Sequence, residues 1–182
     1  LDDEKFGVEV NPGALPKVLV DRTYYAEISG QIKDKEDKKY INQHLSSANF
    51  LVRALDQRAE TMLKTASAII KFQEEFFRYG IKYLKPLTLA QVAEEIEMHE
   101  STISRVTSNK YIQTPRGVFE MKFFFTSGVS NSGGEIASTS VKETIKEIIA
   151  IEDKNKPLSD DGITKELKKR GVKISRRTVM KY

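Results

Sequence analysis

Among the residues able to carry chemistry, the closing run Ser175-Arg176-Arg177-Thr178-Val179-Met180-Lys181-Tyr182 is the most organised. Wound at 3.6 residues per turn, it separates into two faces. Ser175, Thr178, Val179 and Tyr182 share a side suited to packing. Arg176, Arg177, Met180 and Lys181 share a cationic side with no acid in it. A short cationic helix face is suited to a polyanion. Upstream, residues 160–170 form a second helical pattern, with Ile163 and Leu167 one turn apart. Between the two lies Gly171-Val172-Lys173-Ile174, with glycine where a left-handed helix stop is wanted and apolar residues to hold the corner. Helix, glycine turn and basic helix together have the layout of a helix-turn-helix whose second helix enters the DNA major groove. The plain alternative is a solvated basic end of a helical bundle.

Charge placement favours the polyanion. The net charge of the 182 residues is only +4, yet residues 138–182 hold twelve Lys/Arg against seven Asp/Glu. Between Lys165 and Lys181 there are eight basic residues and one acid, Glu166. Clustering of this kind is an electrostatic footprint for nucleic acid, and Lys165, Lys169 and Lys173 are the candidate phosphate contacts. The remainder of the chain has no such bias, which points to a different partner for its first half.

Other chemistries find little support. The sequence has no cysteine, which excludes disulfides and thiolate metal sites. His44 and His99 are isolated, without ligand spacing, so no metal site is expected. No glycine-rich phosphate loop of the P-loop kind occurs, so no ATP hydrolysis, no cofactor and no catalytic residues are expected. A recombinase would need a nucleophile near arginines, and Arg22 with Tyr24-Tyr25 is the only loose match. No apolar run can span a bilayer, and Leu1-Asp2-Asp3-Glu4-Lys5 does not resemble a signal peptide, so a soluble cytoplasmic protein without membrane contact is expected.

The elements needed to position the basic run can be read in order. Asn11-Pro12-Gly13 and Leu15-Pro16 mark turns, residues 17–20 suggest a short strand, and the alternating charges of residues 33–39 suggest a solvated helix face or loop. Residues 46–80 predict one extra-long helix that ends at Gly80. Apolar residues recur at helical spacing through Leu51, Leu55, Ala59, Met62, Ala66, Ile69, Phe76 and Phe77. Thr88 and Gln91 fit a capping box that opens another helix. Val92, Ala93, Ile96, Ile103 and Val106 then face inward in a second helix-turn-helix register. Its outward side carries Ser101, Ser104 and Arg105, with His99 and Glu100 at its start. Glu97 stands where the turn usually has glycine, a substitution costing roughly 1 kcal/mol. Thr114-Pro115-Arg116-Gly117 follows as a wing-like turn. Glycine and serine dominate residues 127–138, which read as a flexible linker. Ser140 and Glu143 suggest a capping box before Val141, Ile145, Ile148 and Ile149, completing a small three-helix domain. The expected class is all-α: a helical bundle with one extra-long helix, a helix-turn-helix module, and a linked three-helix C-terminal helix-turn-helix domain.

These motifs carry a family resemblance. Met98-His99-Glu100-Ser101-Thr102-Ile103-Ser104-Arg105 and Lys110-Tyr111-Ile112-Gln113-Thr114-Pro115-Arg116-Gly117 resemble the signature of the sigma-54, or nitrogen-type, bacterial RNA polymerase sigma factors. The run Ser175 to Tyr182 is similar to that family's C-terminal box, and Leu55-Asp56-Gln57-Arg58 and Pro157-Leu158-Ser159-Asp160-Asp161 also fit. The resemblance extends over essentially all 182 residues. It implies a protein that binds core RNA polymerase and directs it to promoters with −24 and −12 elements, opening being powered by a separate AAA+ activator ATPase. By that resemblance residues 1–80 belong to the core-binding region. Residues 81–126 serve the −12 element through His99, Glu100, Ser101, Thr102, Ser104, Arg105, Lys110 and Arg116. Residues 127–138 are the linker, and residues 139–182 read the −24 element through Ser175, Arg176, Arg177, Thr178, Met180 and Lys181. The family's glutamine-rich activator-response region is not among these residues, and the family's box usually continues past Tyr182. A piece trimmed at both ends is therefore expected. One chain on an asymmetric site, hence a monomer, is also expected. A dimeric helix-turn-helix repressor on a palindrome is the rival reading.

Overall fold

A computed structural model describes residues 6–13, 15–16, 18–131, 134–152 and 157–182. The proposed leaderless start at residues 1–5 lies outside these, as does Lys17. Val18, Leu19 and Val20 form no strand. The chain divides into two units, residues 7–64 and residues 65–182 together with Phe6.

The smaller unit is a helix pair. α1, Arg22–Gln31, is opened by Asp21, whose carboxylate accepts the backbone N–H groups of Thr23 and Tyr24 at 2.9 and 3.0 Å. α2, Lys35–Phe72, runs for 38 residues and begins inside the alternating charges, eleven residues before the expected start at residue 46. At 1.5 Å per residue it is about 57 Å long. Tyr25 donates its hydroxyl to Asn42 at 2.7 Å and so joins the two helices. Among the described residues 7–64 no apolar side chain is buried, and Phe50 is 74% exposed. Among the described residues the pair is joined by this polar tie and buries no apolar side chain.

The larger unit holds the core. It takes in the last two turns of α2, where Thr65, Ala66, Ala68 and Ile69 are buried. The expected unbroken helix to Gly80 is interrupted at Gln73, beyond which α3, Glu74–Tyr79, begins. Gln73 is fully buried, and its amide explains the break. Oε1 accepts the Lys85 N–H at 2.9 Å, while Nε2 donates to the Lys85 carbonyl at 2.8 Å and to the Phe124 carbonyl at 3.3 Å. A buried amide satisfied in this way fixes the loops around it. Around it Phe76, Phe77, Phe119, Phe123 and Phe124 pack with ring centroids 5.0 to 6.1 Å apart.

A short 3₁₀ turn, Ile81–Tyr83, leads to α4, Leu89–Glu95, and α5, Glu100–Thr107. β1, Tyr111–Thr114, and β2, Gly117–Glu120, pair antiparallel around the wing turn. β3, Gly128–Asn131, pairs with β4, Gly134–Ala137. The helices α6, Ser138–Ile151, α7, Asp160–Lys169, and α8, Arg176–Lys181, complete the chain. The fold is therefore mostly helical with two small sheets, a correction to the all-α class.

The second sheet occupies the stretch read as a linker. Val129 and Ile136 sit opposite each other in its ladder and pack on the core of the last three helices, formed by Val141, Ile145, Ile148, Ile163, Leu167, Ile174 and Val179. Two apolar residues in a polar, glycine-rich run thus anchor the paired strands on that core. The capping box at Ser140 and Glu143 is also replaced. α6 starts at Ser138, and the Ser140 hydroxyl instead donates to the Lys82 carbonyl at 2.6 Å.

Candidate nucleic-acid interface

Both helix-turn-helix corners are built by the same backbone device. At the end of α4, Glu97 takes φ 53°, and the Met98 N–H reaches back to the Ala93 carbonyl at 2.8 Å. At the end of α7, Gly171 takes φ 84°, and the Val172 N–H reaches the Leu167 carbonyl at 2.9 Å. Each is a left-handed stop with a six-to-one hydrogen bond, which satisfies carbonyls the helix would leave orphaned. The anticipated capping box of Thr88 and Gln91 opens α4, with bonds of 3.3 and 2.9 Å. Buried Val92, Ala93 and Ile103 then seat α5.

On α5 the side chains expected near DNA fall into two groups. Glu100, Ser101 and Arg105 are exposed, and Arg105 has no side-chain partner among the described residues. His99 is occupied as the helix cap: its Nδ1 accepts the Ser101 N–H at 3.2 Å and lies 2.8 Å from the Ser101 hydroxyl. Thr102 and Ser104 are half-buried, and the Ser104 carbonyl accepts the Ser108 hydroxyl at 2.7 Å. Lys110 is half-buried at the start of the wing. Arg116 turns away from this group. Its Nε donates to the Phe77 carbonyl at 3.0 Å and its Nη2 to the Arg78 carbonyl, closing the C-terminal end of α3.

On α8 the division into two faces holds except at Ser175, which spacing places on the packing side but which is exposed. Val179 is buried, Thr178 and Tyr182 are half-buried, and Arg176, Arg177, Met180 and Lys181 are exposed. The Ser175 hydroxyl caps the helix by accepting the Thr178 N–H at 3.3 Å. Ser175 also lies 3.0 Å from the Thr178 hydroxyl, so both are engaged in the cap. Arg176 faces two acids at the start of α7: its Nη1 is 3.2 Å from Asp161 Oδ2 and its Nε 3.8 Å from Asp160 Oδ2. Arg177 and Lys181 have no such partner among the described residues. Along α7, Lys165 is exposed and has no charged partner among the described residues, Lys169 meets Glu166 at 3.0 Å, and exposed Lys173 lies in the corner. Exposed Lys168 extends this cationic side and was passed over in the sequence. Asp160 and Asp161 belong to a segment that fits the family resemblance, but their place beside Arg176 was not anticipated from the sequence. Among the described residues no cluster could hold a metal ion, and no helix is long and apolar enough to cross a membrane.

The comparisons with known proteins agree with one another. Residues 38–182 match the family described as Sigma-54, DNA binding domain. RNA polymerase sigma-54 factor 1 of Bradyrhizobium diazoefficiens is 50% identical over 182 residues, covering 99% of this chain and 38% of its own length. The RNA polymerase sigma-54 factor of Caulobacter vibrioides is 51% identical over 178 residues, covering 96% of this chain and 36% of its own. Among solved structures, Aquifex aeolicus sigmaN bound to promoter DNA is similar with a TM-score of 0.56 and 34% identity, over 91% of this chain and 49% of that one. The chain thus spans a little over a third of the length of these curated relatives.

Proposed function

Since the chain belongs to the sigma-54 family, we propose that it acts as the DNA-reading part of a transcription initiation factor, recognising −24/−12 promoter DNA while joined to core RNA polymerase. The observation that carries this reading is the α7–α8 corner. Its inner face is locked by Ile163, Leu167, Ile174 and Val179, which leaves Arg177, Met180 and Lys181 presented together on a rigid support. In this reading α8 enters the major groove at the −24 element, where an arginine forked onto guanine is worth about 1–3 kcal/mol against a wrong base. Lys165, Lys169 and Lys173 contact phosphates. α5 serves the −12 element with Arg105, a cation without a side-chain partner among the described residues, and His99 supports that helix as its cap.

The helix pair of residues 7–64 is assigned to polymerase. A two-helix unit with a polar tie, no buried apolar side chain among its described residues and an exposed Phe50 presents apolar surface suited to a protein partner. The chain acts as one copy on an asymmetric site in the cytoplasm, supplies no catalysis, and depends on a separate AAA+ activator ATPase for promoter opening.

Fluorescence anisotropy of the chain on a labelled −24/−12 duplex, with the −24 guanines intact or replaced, tests the reading at several salt concentrations. The expected result is preference for the intact element. Arg177→Ala should remove that preference, whereas Lys165→Ala should weaken both duplexes alike and reduce the salt slope by about one. Equal, steeply salt-dependent binding of the unaltered chain to both duplexes would reduce the site to a basic surface.

A further inference from the structure

Arg176 and Arg177 are neighbours in sequence but differ in what surrounds them. Arg176, with 59% of its side chain exposed, lies between the carboxylates of Asp160 and Asp161, at 3.8 and 3.2 Å. Arg177 has no carboxylate within reach among the described residues. The two aspartates belong to the first turn of α7, whose start is capped by Ser159, and negative charge is favoured there by the helix dipole. α7 and α8 share one core through Ile163, Leu167 and Val179, so the acids and the arginine are carried on a common frame. Acids beside a DNA-reading helix repel phosphates and by themselves weaken binding. Their placement against one arginine therefore bears on what that arginine does.

We propose that Asp161, with Asp160 assisting, is a positioning residue that orients the Arg176 guanidinium for a base edge and keeps it off the phosphate backbone. The inference rests on the reading of α8 as a major-groove helix. Three physical effects combine. An unheld arginine has many rotamers, and a carboxylate at one side of the fork selects among them. The guanidinium offers five N–H donors, so a carboxylate can occupy some and leave others for a ligand. The field of two carboxylates disfavours a phosphate at the same fork but costs less against the neutral acceptors N7 and O6 of guanine. Arg177, free of acids, is able to take either base or phosphate.

The test compares the ratio of affinities for the intact −24/−12 duplex and a scrambled duplex in the chain carrying Asp161→Asn, Asp161→Glu, Arg176→Ala, or Arg176→Ala with Asp161→Asn. Removing the charge with Asp161→Asn should leave scrambled binding equal or tighter yet lower the ratio about threefold, the scale of an exposed ion pair. Asp161→Glu, which restores the charge, should recover most of the ratio. In the Arg176→Ala background, Asp161→Asn should change the ratio no further. If Asp161→Asn tightens both duplexes by the same factor, the acids supply only a repulsive field and the positioning role is overturned. If Arg176→Ala leaves the ratio unchanged, Arg176 reads no base and the underlying assignment fails for that residue. If Arg176→Ala lowers the ratio and Asp161→Asn does not, only the positioning role fails. Unaltered amide hydrogen exchange at Ile163 and Leu167 in each variant separates all these results from loss of fold.

Discussion

An arginine's surroundings decide which of its donors remain for a ligand, and three arginines of this chain show it. Among the described residues Arg177 has no acid beside it, Arg176 is shared with acids, and Arg116 directs its Nε and Nη2 donors to the carbonyls of Phe77 and Arg78. The wing turn around Arg116 was legible in the sequence, because Thr114-Pro115-Arg116-Gly117 has turn chemistry and Gly117 takes φ 125°. The direction of the side chain was not legible, since its acceptors lie 38 and 39 residues away. The geometry makes Arg116 a cap on α3 before it is a DNA contact. Arg116→Ala should therefore destabilise the chain by about 1–2 kcal/mol in urea unfolding, the cost of leaving helix-end carbonyls without a charged donor. DNA affinity measured well below the unfolding midpoint should change little. A large loss of affinity with unchanged stability would return Arg116 to the DNA interface.

At the scale of elements, the two corners differ in one respect that can be measured. Glu97 and Gly171 occupy the same left-handed position, at φ 53° and 84°. Only glycine adopts this region without steric strain. Glu97→Gly should then stabilise the first module by a few tenths to about 1 kcal/mol, the glycine's own chain entropy offsetting part of the relief. Gly171→Ala should destabilise the second by about 1 kcal/mol. Matched denaturation curves check both signs, and a destabilising Glu97→Gly would mean that the side chain contributes more than its strain. The corners were legible from sequence because helix stops, caps and apolar spacing are local. Thr88 with Gln91, the glycine at 171 and the inward set of Val92, Ile103, Ile163 and Leu167 all act within a few residues. Elements fixed by distant partners were not legible. The break at Gln73 depends on Lys85 and Phe124, and nothing within one turn of Gln73 announces it. The hairpin β3–β4 depends on Val129 and Ile136 finding the core of α6, α7 and α8, while its composition alone suggests disorder. Ser140 similarly serves the Lys82 carbonyl, although Glu143 three residues on gives it the look of a helix cap.

At the scale of the whole molecule, the larger unit ties its two helix-turn-helix modules together. A flexible tether would leave each to find its own groove, with only an effective-concentration gain. Instead Ser140 Oγ holds the Lys82 carbonyl at 2.6 Å, Lys82 Nζ meets Glu147 at 2.7 Å, and Glu147 lies 3.8 Å from Arg170 at the end of α7. The Ser138 N–H adds a bond to the Ser127 carbonyl at 3.2 Å. Packed modules read two sites only when the DNA presents both on compatible faces, whereas tethered modules tolerate a range of separations. A half-turn insertion of about five base pairs between the two elements moves one to the opposite face of the duplex. On such a site the unaltered chain should bind with little more than the affinity of a duplex bearing the −24 element alone. The paired variant Lys82→Ala and Ser140→Ala removes the ion pair and the hydroxyl bond while leaving both buried cores intact. It should bind the native spacing nearly as well and recover part of the lost affinity on the extended one. Tight binding of the unaltered chain to both spacings would mean that the modules separate on DNA. The joint at Lys82 would then describe only the unbound protein, and promoter spacing would have to be set by the tether.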